Sequence, residues 1–113
     1  MISRSLMAAS TKPILLSILL DGEDYGYNII QKVKDLSGGI LEWADGMIYP
    51  VLQRLEKDGL VSSRWAPSSE GRFRKYYKIT DLGRRELAED MAQWRSVVAA
   101  LGKLWKPLPS LDS

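Results

Sequence analysis

What this chain can do chemically is bounded first by what it lacks. Its 113 residues include no cysteine and no histidine. Thiolate nucleophiles, disulfides, imidazole-based triads and nearly every zinc site are thereby excluded. Acid/base or metal work would rest on carboxylates alone: Glu23 with Asp24, Glu42 with Asp45, or Glu86 with Glu89 and Asp90. The last group falls at helical spacing, away from the apolar positions, and reads as a solvated face. No glycine-rich phosphate loop and no nucleophile motif accompanies them. The chain is expected not to be an enzyme and to need neither metal nor cofactor.

The chemistry that remains is recognition by cations and aromatic rings. From Ser62 to Arg85 there are seven basic residues against two acidic ones, a local charge of +5 in a chain whose net charge is +2. The rest of the sequence therefore carries −3, an asymmetry that points this segment at a polyanion. In strand geometry Arg72, Arg74, Tyr76 and Lys78 share one face, and Phe73, Lys75, Tyr77 and Ile79 share the other. The first face would lie along phosphates. The second should pack inward, with Lys75 leaning to an edge. The same charges would also suit an exposed hairpin that they merely keep soluble.

A second cluster stands just upstream. In Asp45 to Leu60, Ile48, Leu52 and Leu55 recur at i, i+4 and i+7, the buried stripe of a helix. Its opposite side shows Tyr49, Gln53, Arg54, Glu56 and Lys57. Such side chains can donate to phosphate, pair with adenine, or reach guanine in a major groove. Pro50 lies within this helix. With Asp45 or Gly46 as N-cap it falls at about the fourth or fifth helical position, where its missing N–H costs little. It therefore marks the helix start and sets Tyr49 and Gln53 at the end meeting DNA.

These residues need elements to position them. A first helix is expected to start at Thr11 to Pro13, with Ile14, Leu15, Ile18 and Leu19 on its apolar face. Leu6 and Met7 would extend it backward only with a kink at Pro13. Asp21 to Asp24 reads as a turn, Gly26 to Leu36 as a second helix, and Ile40 to Trp43 as a short strand. After the Asp45 helix, Leu60 to Ala66 and Arg72 to Thr80 form a hairpin around Pro67 to Gly71. Thr80 and Asp81 then cap a last helix running to about Trp105. The fold class is α+β, mainly helical: a winged helix-turn-helix over residues 1–79, a long C-terminal dimerisation helix over 80–106, and a flexible tail over 107–113. The longest apolar run, Ile14 to Leu20, is far shorter than a membrane span. With no clean leader signal either, the chain reads as cytoplasmic.

In the last helix Leu87, Met91, Trp94, Val98, Leu101 and Trp105 are spaced 4, 3, 4, 3, 4, a heptad seam. A single helix trailing a small domain has little of its own chain to cover such a stripe, so a C2 homodimer is expected. Folding back onto the first helix is the competing use of the seam. Two subunits would present two recognition helices to the half-sites of a pseudo-palindromic operator.

The order of motifs is specific as a set. Tyr25-Gly26-Tyr27-x-Ile29, then Gly46-x-Ile48-Tyr49-Pro50-x-Leu52-x-Arg54-Leu55-Glu56-x-x-Gly59-Leu60, then Trp65, then Gly71-Arg72-x-Arg74-Lys75-Tyr76-Tyr77-x-Ile79-Thr80-x-x-Gly83 resembles the PadR family of winged-helix transcriptional regulators. The likeness runs from about Thr11 to Trp94. It implies a dimeric repressor with Tyr49, Pro50, Gln53, Arg54, Lys57, Arg72, Arg74, Lys75, Tyr76 and Lys78 on DNA. In the short branch of the family, with a single C-terminal helix, multidrug-responsive members hold flat aromatic compounds between paired interface tryptophans. Trp94 resembles that residue, which implies a small aromatic ligand beside Trp94, Val98 and Leu15. Where such members place a carboxylate shortly after the tryptophan, this chain has Val97 and Val98. The alternative function is a winged-helix module that binds protein or sequesters a ligand without reading DNA.

Overall fold

The computed structural model describes residues 2–107. Most of the tail expected at 107–113 lies outside that range.

Ser3 starts the first helix, α1 (Arg4–Leu19), by accepting the Leu6 amide on its side chain at 3.2 Å. The helix thus begins well before Thr11, and Pro13 sits in its interior. The sequence expectation is corrected for a physical reason. Proline removes one bond, the one to the Ala9 carbonyl, and Ala9 is exposed, where water can serve that oxygen. Thr11, which is buried, turns its hydroxyl onto the Met7 carbonyl at 2.7 Å and keeps the preceding turn satisfied.

A two-residue strand, β1 (Asp24–Tyr25), leads directly into α2 (Gly26–Leu36). Asp24 belongs to that strand rather than to the turn in which the sequence seemed to place it. It is held by Lys32 at 2.7 Å and by the Asn28 amide. Residues Ile40 to Trp43 form no strand. Trp43 instead plugs the core, its indole Nε1 donating to Met7 Sδ at 3.1 Å.

Next come α3 (Asp45–Lys57), the hairpin strands β2 (Val61–Pro67) and β3 (Phe73–Ile79), and α4 (Asp81–Leu104). The antiparallel sheet has the order β1-β3-β2, with Tyr25 opposite Tyr76 and Arg64 also opposite Tyr76. The core gathers Leu15, Leu16 and Leu19 of α1 with Ile29, Ile48, Leu52, Leu60, Tyr77, Ile79 and Leu87. Every later element therefore packs, directly or through this cluster, on α1. Among the described residues no helix is long and apolar enough to cross a membrane.

Candidate nucleic-acid interface and ligand groove

Ile48, Leu52 and Leu55 are buried and seat α3 on the core, leaving Tyr49, Pro50, Gln53, Arg54 and Lys57 exposed on its outer side. The helix begins one residue earlier than the sequence suggested, with Ala44 as N-cap and no side-chain cap. Pro50 is then the sixth helical residue, and its missing N–H deprives the Gly46 carbonyl of an intrahelical donor. The proline is an interior one, not a marker of the first turn. Gly46 is exposed, with open space where a side chain would stand, so ring and carbonyl can adjust there.

Tyr49 is held as well as displayed. An added Cβ on Gly26 would lie 2.7 Å from the Tyr49 ring, so the ring rests directly on the first residue of α2. Glycine at 26 makes that approach possible. Arg54 carries an exposed pair with Asp58 at 3.3 Å, easily given up to a phosphate.

In the wing, Arg72 and Lys78 are exposed, whereas three other cations are engaged within the protein. Lys75 lies 3.5 Å from Glu56 of α3, which also accepts the Ser63 hydroxyl, and it sits over the Tyr77 ring. This ties the hairpin to the recognition helix. Arg74 is half-buried between Tyr25 and Tyr27. Arg64 is hydrogen-bonded to Glu23, and this guanidinium holds the Glu23 carboxyl below its usual range. Burial pushes the hydroxyls of Tyr25 and Tyr77 upward, so both remain neutral donors in neutral solution.

The inward face of β3 is apolar only as far as Tyr77 and Ile79. Phe73, expected to pack inward, is 69% exposed, and Trp65 is 66% exposed. The hairpin reaches beyond the core at this end, so its inner face has nothing to cover.

On the other side of the molecule α1, α2 and α4 enclose an open groove of about 500 Å³. Trp94 and Met91 form one wall, Ile14 and Ile18 another, and Leu36 and Leu41 a third. Leu15 is not among the lining residues. It is fully buried one position along α1, facing the core, and Ile14 and Ile18 line the groove instead. Val98 is also outside the groove, one turn beyond Trp94 and 61% exposed. Asp21 also lines the groove, exposed and without an ion pair among the described residues.

The profile of the Transcriptional regulator PadR-like family matches residues 15–89. The chain belongs to this family. It is 34% identical over 87 residues to a transcriptional regulator of Mycobacterium tuberculosis, covering 77% of this chain and 78% of that one. With the Negative transcriptional regulator PadR of Bacillus subtilis it shares 32% identity over 76 residues, 67% of this chain but only 42% of that protein's length. A PadR-like transcriptional regulator structure from Bacillus cereus superposes with a TM-score of 0.80 at 30% identity, covering 92% and 99% of the two chains.

The matched region of this PadR-like regulator ends before Trp94, so the seam must be judged on its own packing. Leu87 is buried inside its own protomer and leaves the expected dimer set. Met91 packs against the same core, and Lys12 of α1 bridges to Glu86 at 2.7 Å and Asp90 at 3.3 Å. The first half of the seam folds back on α1. The second half is less covered: Val98 and Trp105 of the seam are exposed, as are Val97 and Leu104 beside it, while Leu101 is half-buried.

Sequence reasoning gave no site role to Gly26, Tyr27, Arg64, Glu56 or Asp21. The Gly26–Tyr27 pair was visible within the Tyr-Gly-Tyr motif. The other three acquire meaning only through partners distant in the chain.

Proposed function

We propose that this PadR-like regulator is a homodimeric repressor that binds a pseudo-palindromic operator through α3 and the wing. The observation that carries the reading is the exposed outer face of α3, with Tyr49, Gln53, Arg54 and Lys57, together with the exposed wing cations Arg72 and Lys78. Gln53 suits adenine edges, and the cations suit phosphates, which set affinity without reading sequence. The Bacillus subtilis relative, named as a negative regulator, favours repression over activation. In this reading residues 1–79 form the DNA-binding unit, 80–106 the dimerisation helix, and the protein acts in the cytoplasm.

The test is anisotropy titration of duplexes from the protein's own promoter region across a salt series. Binding should weaken steeply as salt rises, since each phosphate neutralised contributes about −0.9 to the logarithmic slope. Arg72→Ala with Lys78→Ala should weaken all sequences alike, while Gln53→Ala should relax preference at one base pair. Salt-insensitive binding, or none to any promoter fragment, would favour a protein-binding or ligand-sequestering module.

Release from DNA by a small planar aromatic compound is the second part of the proposal. The groove is large enough for a fused-ring ligand, and the Trp94 ring forms part of its wall. Such compounds should quench tryptophan emission in the wild type and much less in Trp94→Ala. Equal quenching in both would remove Trp94 from the role.

A further inference from the structure

The outer face of the sheet carries a continuous row of charges and rings that runs from the wing to the start of α2. Glu23 accepts from Arg64 Nε at 3.0 Å, and the Arg64 guanidinium carbon stands 5.6 Å from the centre of the Tyr76 ring. Tyr76 meets Tyr25 edge to face at 5.4 Å. Arg74 then lies 4.9 Å from the Tyr25 ring centre and 5.8 Å from that of Tyr27, with Glu70 at 3.8 Å. Only 21% of the Arg74 side chain is exposed, and its Nε is closed off from solvent with no hydrogen-bond partner among the described residues.

A side chain placed for phosphate contact would keep its donors in solvent. Arg74 instead buries its Nε and sets its guanidinium against two rings at once, a contact that a planar guanidinium makes better than an ammonium. The row also fills a structural need. β1 has only two residues, and a two-stranded hairpin is marginal alone, so strand pairing holds the wing weakly against the helix-turn-helix.

We infer that the row Glu23–Arg64–Tyr76–Tyr25–Arg74–Tyr27 is a brace that sets the wing's orientation relative to α2, and that Arg64 and Arg74 are positioning residues rather than phosphate contacts. The second half of the inference rests on the DNA-binding reading; the brace itself does not.

Two measurements separate them. In promoter-duplex titrations, Arg74→Lys and Arg74→Gln should both weaken binding about tenfold, and Tyr25→Leu should match them. In all three the salt slope should stay at the wild-type value, whereas Arg72→Gln should lower it by about 0.9. Full affinity in Arg74→Lys with a lowered slope in Arg74→Gln would make Arg74 a phosphate contact and overturn the assignment.

In the DNA-free protein, amide hydrogen exchange across Val61–Ile79 should quicken in Arg74→Gln, Tyr25→Leu and Arg64→Lys. Arg64 is the safeguard against misfolding, because its side chain is 59% exposed and is not part of the core cluster. Unchanged exchange in Arg64→Lys and in every folded variant would overturn the brace. If the wild type binds no promoter duplex, the DNA reading and the positioning role fall together, and exchange alone decides the brace.

Discussion

A β-carbon on Gly83 would stand 2.1 Å from the Leu60 carbonyl oxygen and 2.8 Å from Ile79 Cγ1. That oxygen already accepts the Thr80 amide at 3.0 Å, so it cannot retreat without opening the joint between wing and α4. Gly83→Ala should therefore cost about 1–3 kcal/mol or more, visible as a drop of several degrees in Tm. The same substitution at Gly26 has a different consequence. There the obstructing atoms belong to the Tyr49 ring, which is 39% exposed and can swing outward. Gly26→Ala should lower Tm only slightly while weakening operator binding several-fold, a split that melts and anisotropy together would show. A Tm loss as large as that of Gly83→Ala would mean Tyr49 serves the fold more than the interface. Glu23 supplies a pH test. Its carboxyl is lowered from 4.5 by the hydrogen bond to Arg64, so the pairing is at full strength above pH 4.5 and fades as pH falls through the lowered value. Any difference in wing exchange between wild type and Glu23→Gln should disappear in that acid range.

At the scale of elements, Pro50 leaves one carbonyl of α3 without its donor, and Pro13 does the same in α1. Pro50→Ala should add a helical bond and raise Tm, by at most about 3 kcal/mol of stability. If operator affinity falls at the same time, the proline shapes the reading end of α3. An unchanged Tm would show that Gly46 already absorbs the cost. How far these elements were legible follows from where their signals lie. α2, α3, α4 and the hairpin could be read because their apolar spacing is internal to each segment. The first two turns of α1 were legible only as a backward extension through Leu6 and Met7, because Pro13 lay between them and the firmer start. β1 is too short to show alternation, and its pairing with β3 is a property of distant residues. Ile40 to Trp43 looked like a strand because apolar residues cluster there, yet Trp43 is buried as a core plug. The outer face of α3 was legible for the same local reason. The surroundings of Arg74, Lys75, Leu15 and Leu87 were not, because each depends on what another element places beside it.

The whole molecule is elongated, 59 × 29 × 21 Å, with the 24-residue α4 among its longest features. A chain that keeps its own core on one half of a helix and leaves Val98, Leu104 and Trp105 bare on the other is suited to a second copy. If those residues are covered by a partner subunit, folding and association are coupled by mass action, and Tm must rise with protein concentration. Val98→Lys with Trp105→Lys would place charge on the bare half without touching the protomer core. The double variant should sediment at half the wild-type mass and melt at a lower temperature that no longer depends on concentration. Because α3 and the wing lie on other elements, each monomer should still contact one half-site. Affinity for a full operator should nonetheless collapse toward that for a half-site, since the second recognition helix is no longer tethered. A double variant that keeps the wild-type mass and concentration dependence would show that these residues are not the interface. A dimer would then have to form elsewhere, with the groove beside Trp94 the next surface to alter.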